Sequence, residues 1–172
     1  MTILALDVAT KTGVAVGVPG RPPKAWSVDL GEAQPHDRRF SNVLVLTHGL
    51  IETHKPRLIA IEGAVGGPKA SAYLIGLVAC IRGCAANRGV PVETYPINSI
   101  RKHFTGRALA VRDFPALKPA AAKKAIKQIV MDRCRLLGWD VPDADAADAA
   151  ALWDFACATH GAQTVPTGGL FR

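Results

Sequence analysis

The sequence predicts an α/β fold: a mixed five-stranded sheet with helices on both faces. Three observations carry this reading. The first thirty residues hold three short apolar or alternating runs punctuated by turn residues, the pattern of an antiparallel meander. From about residue 36 on, segments of helical periodicity alternate with short β-rich runs, which implies parallel pairing through helical crossovers. Two of the apolar runs end in a carboxylate, Asp7 and Glu62.

The elements follow in order. Thr2 to Val8 reads as a buried strand. Lys11-Thr12-Gly13 reads as a turn, with Gly13 free to take positive φ. Val14 to Val18 is a second strand, and Ala25 to Leu30 alternates as a third. His36 to His54 places Phe40, Val43, Leu44, Thr47, Leu50 and Ile51 at helical spacing, and Pro56 stops it. Arg57 to Glu62 is the fourth strand, and Gly63 to Pro68 a flexible loop. Ser71 to Asn87 is a small-residue helix closed by Gly89, followed by a fifth strand, Val90 to Tyr95. Pro96 to Ser99 is a turn into a short helix, and Phe104 to Pro119 an exposed loop. Ala120 to Leu137 is a basic helix, and Asp143 to His160 the last helix, with Asp143 placed to cap it.

A length of 172 residues suits one domain, 1–172, with 161–172 a loosely held tail. At 49% hydrophobic residues, disorder is excluded as the overall state. No uninterrupted apolar stretch would span a bilayer, and the N-terminus enters a strand without a basic leader, so the expected compartment is the cytoplasm. Cys80 and Cys84, one turn apart, and Cys134 and Cys157 read as small buried hydrophobes.

The net charge of +7 is concentrated. Arg101 to Arg135 holds ten Lys/Arg against two acids, whereas the rest of the chain has 11 bases against 12 acids. One basic segment beside a group of acids suits a polyanion held over a cation site. The residues expected to meet phosphate are Arg101, Lys102, Arg107, Arg112, Lys118, Lys123, Lys124 and Lys127. A solvated helix face is the plainer account of such a run.

Asp145 and Asp148, three apart on the last helix, share a face. If the first and fourth strands are adjacent and parallel, Asp7 and Glu62 meet at the sheet's carboxyl edge, where α/β proteins build sites. Docking the helix there gives four carboxylates around one cavity. Oxygen-only ligands select Mg²⁺, or Mn²⁺ in its place, and a pair of such ions suits phosphodiester hydrolysis. Each acid also has a local account. Asp7 could cap a turn, Glu62 could pair with a base, Asp143 could be an N-cap rather than the third ligand, and Asp145 and Asp148 could complement the helix dipole.

The segments Leu4 to Gly13, Ile59 to Glu62 and Ala144 to Ala149 together resemble the three signature segments of RuvC-type Holliday-junction resolvases, of the retroviral-integrase superfamily. Gly76 to Gly83, Pro96 to Lys102, Gly106 and the pair Lys123-Lys124 extend the likeness over nearly the whole chain. The resemblance implies a ribonuclease H-like fold and a Mg²⁺-dependent, homodimeric endonuclease that cuts paired strands of a four-way DNA junction. It implies Asp7, Glu62, Asp145 and Asp148 as catalytic metal ligands, and maps the family's helix-borne bases loosely onto Lys123 and Lys124. Two departures point toward broader branched-DNA specificity. The loop after Glu62 carries no aromatic before Tyr73, and Arg107 to Pro119 is long and basic. An RNA–DNA nuclease of the same fold is an alternative. More distant ones are an actin-like or sugar-kinase phosphotransferase, disfavoured by the single copy of the hairpin motif, and a non-catalytic nucleic-acid-binding module, disfavoured by the four acids.

Overall fold

A computed structural model describes residues 1–63 and 71–161. Five strands lie in the order β3-β2-β1-β4-β5. They are β1 Ile3–Asp7, β2 Lys11–Gly17, β3 Lys24–Asp29, β4 Leu58–Glu62 and β5 Val92–Tyr95. The helices are α1 His36–His54, α2 Ala72–Asn87, α3 Ile97–Thr105, α4 Pro119–Leu136 and α5 Ala144–Gly161, with a 3-10 turn at Val111–Asp113. β1, β2 and β3 pair antiparallel, and β1-β4 and β4-β5 pair parallel. This is the mixed sheet expected. The Ala64–Pro68 part of the expected loop and the tail beyond Gly161 lie outside the described residues.

The strand alternation assigns the two faces. Leu4, Leu6, Val14, Val16, Ile59 and Ile61 point to one side and pack on Val43, Leu50 and Ile51 of α1 and Leu77, Ile81 and Ala85 of α2. Ile3, Ala5, Ala15, Leu58 and Ala60 point to the other, against α5. That second face is built from small residues. Gly13 and Gly17 share it with Ala15, and α5 answers with Ala146, Ala147, Ala149, Ala150, Ala151 and Ala156, all buried. Small side chains on both surfaces let the helix axis approach the sheet closely. α5 is in turn covered by α3 and α4, so it lacks a polar stripe along most of its length.

Two expectations need correction. Lys11-Thr12-Gly13 is not a turn but the first half of β2, where Gly13 pairs with Asp7 and Ser27 and has no positive φ. The turn lies at Val8–Thr10, closed by the buried Thr12 hydroxyl donating to the Ala9 carbonyl at 2.7 Å. The stretch from Phe104 is not simply an exposed loop. Ile100 and Phe104 stand one turn apart on α3 and are buried, Gly106 ends that helix at φ 81°, and Leu109 returns to the core at 2% exposure. Among the described residues no helix is long and apolar enough to cross a membrane. The four cysteines carry free thiols, with Cys134 and Cys157 buried and Cys80 and Cys84 half-buried.

Candidate active site

The last paired positions of β1 and β4 are Leu6 and Ile61. One step further, at the carboxyl edge, come Asp7 and Glu62. Alternation places both on the face that carries Ala5 and Ala60, toward α5. The first turns of α5 lie over this edge. The turn bearing Asp145 rests on Gly13, where a Cβ would fall well inside 3.0 Å of the Asp145 carbonyl oxygen. Asp145 and Asp148 leave α5 on one side, with side chains 22% and 13% exposed.

These groups lie close enough to feel one another's charge. Burial raises the Asp7 carboxyl to about 8, and the charges of Glu62, Asp148 and Asp145 add to the rise. Burial and then Asp148 lift Glu62 to about 7. Burial lifts Asp148 to about 6, with Asp145 adding and Lys127 and Arg101 opposing. Three carboxylates therefore resist ionisation in one place, which is the behaviour of a cluster short of positive charge.

Among the described residues three cations border it. Lys127, from α4, sets its ammonium 2.6 Å from Asp145 Oδ1 and 3.7 Å from Asp148 Oδ2. Burial works against its charge, yet these bonds and Asp7 hold its pKa above the usual lysine value. Arg101, from α3, lies close enough to lower Glu62 and Asp148, while its Nη1 donates to the Leu109 carbonyl at 3.0 Å and its buried Nε has no partner among the described residues. Lys11 stands 2.8 Å from Asp143 and 3.8 Å from Asp145.

Asp143 sits apart from the cluster. Its Oδ1 accepts the Ala146 amide at 2.9 Å, which is the N-cap bond of α5, and its Oδ2 accepts from Ser27 and Lys11. Despite some burial, these donors hold its carboxyl at about 2.

Of the bases expected to meet phosphate, Arg101 and Lys127 reach the carboxylates. Lys102, Arg107, Arg112, Lys118, Lys123 and Lys124 are exposed and take no carboxylate partner among the described residues. The roles of Gly13 and of Lys11 and Ser27 around Asp143 were missed from sequence. The alternation Gly13-Ala15-Gly17 opposite an alanine-rich helix was the available signal for the first.

The donor set fits a hard cation, since the converging groups are carboxylate oxygens whose charge the protein alone does not balance. They are not drawn into a ligand shell here. Among the described residues no three His, Cys, Asp or Glu groups are arranged to hold an ion, and the Lys127 ammonium stands among them instead.

No protein-family model matches the chain, and no curated protein matches it in sequence. Its fold has solved counterparts. Thermus thermophilus RuvC superposes with a TM-score of 0.63 at 20% identity, over 94% of this chain and 97% of that one. T. thermophilus RuvC in complex with Holliday junction substrate gives 0.68 at 15% identity, over 96% and 98%. The yeast mitochondrial Holliday junction resolvase Ydc2 gives 0.55 at 14% identity, over 89% and 76%. At these identities the likeness is one of fold: the chain shares the architecture of RuvC-type resolvases along nearly its whole length.

Proposed function

We propose that this protein is a metal-dependent endonuclease that hydrolyses phosphodiester bonds of branched DNA, with the four-way junction, cut by paired nicks, as its main substrate. The observation that carries the reading is the convergence of Asp7, Glu62, Asp145 and Asp148 from two strands and one helix onto a single electrostatically frustrated site. A cluster that burial and mutual repulsion push toward protonation costs stability unless a cation is part of its working state. Mg²⁺, or Mn²⁺ in its place, would be held by these four carboxylates, and a pair of such ions supplies an activated water and charge stabilisation at the leaving oxygen.

The rest of the chemistry belongs to the chain. Arg101 is fixed by the Leu109 carbonyl beside Glu62 and Asp148, where it can meet a phosphate that enters the site. α3 and α4 both pack on α5, so exposed Lys102 of α3 and Lys123 and Lys124 of α4 belong to helices that flank the carboxylates, and exposed Arg107, Arg112 and Lys118 lie on the connection between those helices. These positions suit a DNA backbone led toward the acids. Junction selectivity on this reading comes from two sites held a fixed distance apart in a homodimer. The outer face of α1 and α2 supports it, with Leu44 41%, Val45 70% and Ile75 51% exposed. Free thiols on all four cysteines suit a cytoplasmic protein.

The test compares cleavage of a four-way junction, a flap, a linear duplex and an RNA–DNA hybrid, with Mg²⁺ and with EDTA. Symmetric nicks in the junction, lost in EDTA, are expected. Equal cleavage of flap and junction would broaden the substrate to branched DNA generally. Cleavage confined to the hybrid, or none of any substrate, would overturn the assignment.

A further inference from the structure

We propose that Lys127 is the resident counter-ion of the carboxylate cluster, and that a divalent cation binds by displacing its ammonium from Asp145 and Asp148, releasing the lysine to the DNA backbone. The proposal rests on the reading of the cluster as a cation site.

Lys11, Arg101 and Lys127 are not equivalent. Lys11 is committed to Asp143, the N-cap, at 2.8 Å, with Asp145 more distant at 3.8 Å. Arg101 is anchored through Nη1 on a backbone carbonyl, which persists whatever the charge of the cluster. Among the described residues Lys127 alone has both of its carboxylate partners inside the cluster, Asp145 at 2.6 Å and Asp148 at 3.7 Å. Its charge also eases the burden on Asp7 and Glu62.

A single ammonium is a poor match for four carboxylates. It supplies one positive charge, and its hydrogens reach only part of the oxygen set. A divalent ion brings more charge and takes six or more oxygens, so it outcompetes the ammonium where both can reach. An ion drawn to the same carboxylates stands against the ammonium's charge, so the two compete for them. Loading therefore includes the cost of breaking the Lys127 bonds, and apparent affinity falls accordingly.

The displaced side chain has a destination. Lys127 is 43% exposed and sits on a flexible four-carbon stem. Lys123, one turn earlier on the same face of α4, is exposed. A released Lys127 extends that row by one charge toward the reacting phosphate. Cation loading and DNA binding are then coupled: the lysine blocks phosphate repulsion while the site is empty of metal and becomes a phosphate ligand once it is filled.

The experiment titrates Mn²⁺ into metal-free protein without DNA, reading free Mn²⁺ by its electron paramagnetic resonance signal. Wild type, Lys127→Gln, Lys127→Arg and Asp7→Asn are compared. Lys127→Gln should bind Mn²⁺ tighter, on the order of tenfold, whereas a merely damaged site would bind it more weakly. Lys127→Arg keeps the charge and should stay near wild type. In EDTA, Lys127→Gln should melt below wild type, and Mn²⁺ should raise its Tm by more. With Ca²⁺ present, the salt slope of junction binding should fall by up to about 0.9 in Lys127→Gln, with no difference in EDTA. Equal or weaker Mn²⁺ binding by Lys127→Gln would overturn the displacement while leaving the cation site standing. An equal salt slope in Ca²⁺ would overturn the transfer to DNA. Failure of wild type and Lys127→Gln alike to bind more Mn²⁺ than Asp7→Asn would overturn the cation site and this proposal with it.

Discussion

Gly13 and Asp145 touch backbone to backbone: the carbonyl of Asp145 occupies the space that any side chain on Gly13 would need. The site depends on that approach, because it sets how far the acids of α5 stand from those of the sheet. Gly13→Ala should lift the first turn of α5, cost about 1–3 kcal/mol or more, and reduce Mn²⁺ affinity. Gly17→Ala, which meets the ring edge of Trp153 at 3.1 Å, should cost less and leave Mn²⁺ binding intact. Urea unfolding and Mn²⁺ titration of both variants measure this. Equal losses would mean that the Gly13 contact has no special part in the site.

Asp7→Asn, Glu62→Gln and Asp148→Asn should each abolish cleavage while leaving junction binding intact or tighter, since a ligand is lost and repulsion with phosphate is reduced. Single-turnover cleavage and binding in Ca²⁺ separate the two effects. Turnover near wild type in any one variant would remove that residue from the site.

The pH dependence of metal-free stability has a definite sign. The folded-state pKa of Asp7 is raised from 3.8 to about 8, so its contribution is fully present below 3.8 and is lost as pH rises toward 8. Glu62, raised from 4.5 to about 7, acts in the same direction. In EDTA, Asp7→Asn should therefore gain in Tm relative to wild type as pH rises through this window. Melting curves from pH 4 to 9 that run parallel for the two proteins would refute it.

Asp143 works in the opposite direction. Held at about 2 against an ordinary 3.8, it stabilises the fold above 3.8 and loses that contribution as pH falls toward 2. Asp143→Ala should cost on the order of 1 kcal/mol through the N-cap, and cleavage should suffer less than stability. Unchanged melting with lost cleavage would make Asp143 the ligand in place of Asp145.

Lys123→Ala combined with Lys124→Ala should weaken binding to every DNA form and flatten the salt dependence by up to about two units of slope, near 0.9 per lost phosphate contact. Junction preference should hold, since phosphate contacts position rather than specify. A slope equal to wild type would leave the two lysines as solvated surface.

What the sequence made legible follows from how local each signal is. α1 spans the residues expected because a clean helical period runs from His36 to His54 and Pro56 ends it. Asp7 and Glu62 were visible because a carboxylate closing an apolar run stands out against its neighbours. The direction of Lys127 was not visible. Adjacent lysines on a helix look alike until a second helix packs beside them, and only the α4–α5 contact separates Lys127 from Lys123 and Lys124. Asp143 and Asp145 were equally opaque, two residues apart with the same chemistry. Ser27 and Lys11, supplied by strands 116 and 132 positions away in the chain, decide between them. Gly13 was misread as a turn glycine because glycine signals two unlike needs, an unusual φ and an absent side chain, and here the second applies.

Among the described residues the most C-terminal helix, α5, is the one held between the sheet and the α3–α4 layer. Asp145 and Asp148 must travel back across the whole chain to join Asp7, and the small-residue face of the sheet stays uncovered until α5 docks on it. A nascent chain that stops short of α5 therefore carries half of the carboxylate cluster and no complete one. On the nuclease reading proposed above, a chain assembled in this order gains a working site only when α5 docks, and an unfinished one cannot cut DNA.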